Sequence, residues 1–258
     1  MKNKNYPLYT ITQITTLKQL IYDVPTVNDN IAFMYAKGRK TTVEVTYAQF
    51  RNDIEAFGTY LYSKGFRHTH IAVIGENSYE WILTYFAAVN GGNVIVPVDK
   101  ELSVKEIKNV LLSSDSAVLV YSDTYLDIAE ELQRQLDITY INMNTFPESL
   151  NEGKDLINSG MCDYLNYDVK EDDLAAIVYT SGTTGVSKGV MLTHRNIAAD
   201  VVAGCKSVKA TGSTVCVLPL HHTFSFTLGI CTMLLSRQTI YINKSLKNIM
   251  SDMQKAKP

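Results

Sequence analysis

No C-x-x-C pair occurs among the four cysteines, Cys162, Cys205, Cys216 and Cys231, so neither a zinc ribbon nor a dithiol redox centre is indicated. Buried, reduced thiols of a cytoplasmic protein are the expectation. No two histidines stand with a carboxylate at a metal-ligand spacing. Net charge is nearly absent, a formal −2, and gives no reason to expect nucleic acid or an anionic membrane as the main partner. The first twenty residues, MKNKNYPLYTITQITTLKQL, hold no apolar core of the signal-peptide kind. One charge-free run, Val215 to Leu235, is long enough to cross a bilayer, but it contains Pro219, His221, His222 and four Ser/Thr residues. Those groups are costly in hydrocarbon, and the run reads as a buried strand, a functional turn and a buried helix. Internal repeats and low-complexity tracts are missing too.

What the chain does have is apolar substance and rhythm. Hydrophobic residues make up 46% of the 258 and charged ones 19%, enough for a sizeable core. Residues 17–24 pattern as a helix, and Ile31–Ala36 and Thr42–Val45 as strands. Thr46 predicts a helix start, with Gln49 at the capping-box position and Gly65 at the end. Strands at His70–Gly75, Asn93–Val98, Ala117–Tyr121 and Ile138–Met143 then alternate with helices at Tyr79–Val89, from Ser103 (boxed by Glu106), and at Leu126–Leu136. Such alternation predicts a doubly wound α/β fold with mainly parallel sheets and helices on both faces. Phe146 to Asp173, with Pro147, Gly153, Gly160 and many acids, reads as a solvated connection. Further on come a helix at Arg195–Val208, a strand at Thr214–Leu220, a helix at Phe224–Leu235, a strand at Thr239–Asn243 and a helix from Ser245.

The most informative stretch is Tyr179 to Val190, YTSGTTGVSKGV. Apolar runs at Leu174–Tyr179 and Val190–Leu192 flank it, and both read as buried strands. Between them lie five hydroxyl residues (Thr180, Ser181, Thr183, Thr184 and Ser187), the glycines Gly182, Gly185 and Gly189, and the lone charge of Lys188. Glycine lets main-chain N–H groups approach a ligand, hydroxyls donate, and an ammonium suits phosphate. The composition fits a polyphosphate cradle, although a mobile Gly/Ser/Thr turn has the same composition. A Walker-type loop is excluded. The second glycine would have to stand at Ser187, and Lys188 is followed by Gly189 rather than Ser or Thr.

Thr180 to Gly189 resembles the signature loop of the adenylate-forming (AMP-dependent synthetase and ligase) enzymes, [ST]-[ST]-G-[ST]-[ST]-G-x-[PS]-K-G. The continuation VMLTHRNI (190–197) is similar as well. So are ENSYEW (76–81), NVIVPVDKELS (93–103), SSDSAVLVYS (113–122) and LPLHHTF (218–224), which look like acyl-CoA synthetases, long-chain fatty acid–CoA ligases above all. The resemblance implies the N-terminal part of the large domain of such an enzyme, residues 1–258 being a truncated AMP-binding domain. It also implies ATP and Mg²⁺, with coenzyme A as cosubstrate. By it, Thr180, Ser181, Gly182, Thr183, Thr184, Gly185 and Lys188 would hold ATP phosphates, with Thr184 near the magnesium. His222 would orient the carboxylate, and His222 and Lys188 are the catalytic candidates. His194 reads as serving a helix start. Phe224, Phe226 and Leu228 fit either an acyl pocket or a core helix. The sequence ends at QKAKP without the family's later motifs or its C-terminal lid. The expectation is therefore the N-terminal half of a protein about twice as long, inactive alone. Fatty acid, ATP and CoA are the implied partners. Other carboxylates, carrier-protein adenylation and a non-catalytic nucleotide-binding or interaction module stay open, as do homo-oligomerisation and peripheral membrane contact.

Overall fold

Short apolar strands that alternate with amphipathic helices can bury both faces of a sheet only if the helices cross over and return on each side. The computed structural model, which describes residues 10–23, 30–38, 41–180, 188–207 and 212–258, shows this arrangement. In chain order the elements are α1 (Leu17–Tyr22), β1 (Ile31–Lys37), β2 (Thr41–Thr46), α2 (Tyr47–Ser63), β3 (His70–Ile74), α3 (Tyr79–Asn90), β4 (Val94–Pro97) and α4 (Val104–Ser113). Next come β5 (Ser116–Tyr121), α5 (Leu126–Gln133), β6 (Thr139–Asn142), α6 (Phe146–Asn158), β7 (Leu174–Thr180), β8 (Lys188–Thr193) and α7 (His194–Ser207). The last are β9 (Ser213–Cys216), α8 (Thr232–Leu235), β10 (Thr239–Ile242) and α9 (Ile249–Ala256), with a π-helical segment, Ser225–Cys231, leading into α8.

The strands form a six-stranded sheet of order β6-β5-β3-β4-β7-β8 and a four-stranded sheet of order β2-β1-β10-β9. Pairing is parallel except for β1 with β2 and β7 with β8. In β3 the period of two divides the side chains between two cores. Ile71 and Val73 pack with α2 and α3, Ala72 and Ile74 with α4 and α5. Eleven of the twelve residues of α3 are buried, as a helix apolar on all sides requires. Its tyrosines meet both neighbours: Tyr79 lies 5.8 Å from Phe33 of β1, and Tyr85 stacks at 3.7 Å on Phe226 of the π segment.

Local signals placed the helix starts well. Ser103 and Glu106 close a reciprocal capping box on α4. Thr46 caps α2 by accepting from Gln49 N, without the return bond from the Gln49 side chain. Gly65, at φ +88°, follows the end of α2 as expected.

Three expectations need correction. Phe146–Asn158 is not a loose connection but a helix of 13 residues. Pro147 sits in its first turn, where no N–H is needed. Gly153 meets α2 so closely that a Cβ there would lie 1.9 Å from the Ala56 carbonyl oxygen. Second, β8 is not buried. It is the edge of its sheet, with Val190 45% and Met191 69% exposed. Third, the strand expected over 214–220 ends at Cys216 and gives way to a turn. Cys205, Cys216 and Cys231 are buried and Cys162 is exposed, all four free. No helix among the described residues is long and apolar enough to cross a membrane.

Candidate functional site

Strand order in the six-stranded sheet reverses between β3 and β4, and ligands of such sheets gather at the carboxyl ends of the strands. A cavity of about 300 Å³ opens there. Pro97, Val98 and Asp99 border it from the end of β4, Val178, Tyr179 and Thr180 from the end of β7, and His221, His222 and Thr223 from the turn beyond β9. Thr180, the first residue of the signature stretch, therefore shares a cavity with His222. Lys188 is paired directly across the β7–β8 ladder from Thr180, so the two ends of the loop stand side by side at its neck. Ser181, Gly182, Thr183, Thr184 and Gly185 lie outside the described residues.

The turn that carries His222 is built rather than incidental. Asn77, buried just before the α3 cap, donates from Nδ2 to the Leu218 carbonyl at 2.9 Å and accepts at Oδ1 from Leu220 N at 3.1 Å. One side-chain amide thus replaces a neighbouring strand where β9 has stopped pairing. Ser225 Oγ donates to the same Leu218 carbonyl at 2.9 Å, and His222 N closes the turn onto Pro219 O at 3.2 Å. Beyond the turn the chain is π-helical, a geometry that is rare and concentrated at functional sites.

His222 is exposed and His221 buried. The rings lie 4.2 Å apart with a 52° tilt. His221 Nε2 stands 3.2 Å from Asp99 Oδ1. Burial lowers the His221 pKa, Asp99 opposes that, and His222 and Lys100 add to it, so the ring is neutral near pH 7.

A second cavity, about 620 Å³ and mostly apolar, lies between α7 and the π segment with α8. Ala203, Gly204, Phe224, Leu228 and Met233 line it, and Thr223 borders both cavities. Of the three residues weighed for an acyl pocket, Phe224 and Leu228 face this space. Phe226 is core, buried against Tyr85.

His194 does serve a helix start, though not only that of its own helix. Fully buried at the head of α7, it accepts at Nδ1 from Leu17 N, in the first turn of α1, at 3.1 Å. Desolvation pushes its pKa from 6.5 down to about 4, against the opposing pull of Asp173 and the Val89 carbonyl. Sequence reasoning missed Asn77 and Asp99. Both stand within stretches that resemble the acyl-CoA synthetases, and only their distant partners reveal their tasks.

Among the described residues no group of three or more His, Cys, Asp or Glu could hold a metal ion. Magnesium bound through substrate phosphates asks for only one or two protein oxygens. A hydroxyl of the signature stretch is of the right chemistry.

The profile of the family described as AMP-binding enzyme matches residues 24–258. Among curated proteins, 4-hydroxybutyrate–CoA ligase 2 of Metallosphaera sedula is 26% identical over 231 residues, 84% of this chain and 41% of that protein. Long-chain-fatty-acid–CoA ligase 5 of Rattus norvegicus is 26% identical over 250 residues, 86% of this chain and 37% of its own length. Among solved structures, ATP-bound MatB from Rhodopseudomonas palustris superposes with a TM-score of 0.78 at 22% identity, covering 94% of this chain and 48% of MatB. The chain spans less than half the length of these relatives.

Proposed function

The chain belongs to the AMP-binding enzyme family, and from that premise we propose that it is the ATP-phosphate and acyl half of an AMP-forming acid–CoA ligase whose acid is a fatty acid. One observation carries the reading: the cavity holding Thr180 and His222 shares Thr223 with a larger, mostly apolar cavity. A fatty carboxylate fits across that junction, with its tail in the apolar space and its head at His222.

In the first step a carboxylate oxygen attacks the α-phosphorus of ATP, the bond to the β-phosphate breaks, and pyrophosphate leaves. In the second, the thiol of coenzyme A attacks the acyl carbon and AMP departs. Two anions must meet, so placement and charge neutralisation matter most. Lys188 and the hydroxyls and amides of Thr180, Ser181, Gly182, Thr183, Thr184 and Gly185 hold the β- and γ-phosphates. Thr184 is the oxygen we assign to magnesium, which would supply neutralisation of phosphate charge. His222 orients the carboxylate. ATP, CoA and free thiols suit a cytoplasmic setting, and the 258-residue chain alone is expected to turn nothing over. Acyl-CoA made by the purified chain would refute that last point.

Calorimetry with Mg-ATP tests the phosphate assignment. Lys188→Ala is expected to weaken binding about tenfold or more, the worth of a charge-assisted phosphate contact; equal affinities reject it. The acid is tested with a series of acyl-sulfamoyl adenosines, stable mimics of the adenylate. Tighter binding of octanoyl than of benzoyl or acetyl mimics supports a fatty acid, and the reverse order moves the assignment to an aryl or short acid. A chain that binds Mg-ATP but no mimic is a nucleotide-binding module only.

A further inference from the structure

The shared cavity has a polar wall that the reaction just described leaves unused. Asp99 extends from the end of β4 and is 41% exposed, while the His221 side chain facing it is 7% exposed. A carboxylate near neutral pH only accepts, and at 3.2 Å from Asp99 Oδ1 the Nε2 of His221 is the ring nitrogen that can donate to it. That ring is wedged behind His222 at 4.2 Å, and both residues border the cavity along with Asp99. Bulk alone would be met by an apolar ring. An imidazole that bonds a carboxylate is instead locked in rotation, and its neighbour inherits a fixed wall.

Resting on the adenylate reading above, we propose that Asp99 and His221 form a positioning pair, which holds the His222 ring where the carboxylate of the acid substrate is bound. Neither residue touches the reacting atoms. The pair stands on an observation separate from the signature loop, since Asp99 and His221 belong to other segments. The charged and titratable groups facing His221 are Asp99 and Lys100, which follow β4, and His222 beside it. Burial keeps the imidazole neutral against the pull of Asp99, so the pair works as donor and acceptor and not as an ion pair.

The test uses the whole chain, labelled with ¹⁵N in its imidazoles, and octanoyl-sulfamoyl adenosine as the probe. The expected spectrum shows His221 as the Nε2–H tautomer at neutral pH. Asp99→Asn keeps an acceptor, and should keep both the tautomer and the affinity for the mimic. Asp99→Ala should mix the tautomers and weaken the mimic about tenfold, the loss expected for a hydrogen bond to a charged group. Mg-ATP affinity should change less than affinity for the mimic in that variant, since ATP alone brings no acid carboxylate for His222 to orient. His221→Phe, which keeps the ring and drops the bond, should match Asp99→Ala. General loosening of the fold would lower both affinities together, and that result overturns the pair. So does a His221 Nδ1–H tautomer, or variants that bind the mimic as well as the parent. Failure of the adenylate reading looks different: the parent chain itself then fails to bind the mimic, whether or not it binds Mg-ATP.

Discussion

His194 and His222 carry the same side chain into opposite situations. His194 is fully buried at the head of α7, and its Nδ1 is committed to the backbone of α1. His222 is exposed in a turn, and among the described residues nothing hydrogen-bonds its ring nitrogens. The first histidine is a fixed acceptor in the scaffold, and its neutrality is enforced by the cost of burying charge. The second is held through its backbone and its neighbours, which leaves its ring for a ligand. What separates a structural from a functional histidine here is which part of the residue the fold has occupied.

The largest effect that could break this contrast is acid. His194 titrates near 6.5 when unfolded and at about 4 when folded. The unfolded chain therefore takes up the extra proton first, and stability falls as pH falls through that window. The loss from this one group is about 3 kcal/mol between pH 6.5 and 4. Urea unfolding should show a shallower decline over the same range in His194→Gln, and parallel curves for the two proteins would dismiss the buried-neutral account. Next comes Asn77→Ala, which strips Leu220 N of its partner and Leu218 O of one of its donors. About 2 kcal/mol should be lost in thermal or urea unfolding, the cost of a buried unpaired donor, together with affinity for acyl-adenylate mimics. Asn77→Asp keeps the acceptor for Leu220 N and should fall between. Smallest in stability is His222→Ala, expected within about 0.5 kcal/mol of the parent as an exposed change, yet expected to abolish tight binding of the mimic. If it instead unfolds the chain, the contrast between the two histidines disappears.

Much of this could be read from the residues. The boxed start of α4 at Ser103 and Glu106 is local chemistry, and so is the glycine after α2; both were where the sequence put them. The alternation of strands and helices likewise reports its own burial. The helix α6 was hidden because Pro147, Gly153 and the surrounding charges imitate a loop. Proline is harmless in a first turn, and the glycine is needed for contact with Ala56, far away in sequence. The run Val190–Leu192 misled in the other direction, since apolar character does not say whether a strand has a neighbour on its far side. In the site, LPLHHTF pointed to His222, and the cavity joins it to Thr180. Asn77 and Asp99 were invisible because their partners are more than a hundred residues downstream, and no local pattern encodes a contact of that span.

The amide of Asn77 has an evolutionary corollary. The segment bearing the histidines takes its register from a residue encoded in the first third of the sequence, so the two halves of this fold cannot be shuffled freely. Recombinants between homologues with a crossover between positions 77 and 218 should survive when the donor's equivalent of Asn77 can both give and accept. When it cannot, they should fail even with every ligand-facing residue intact.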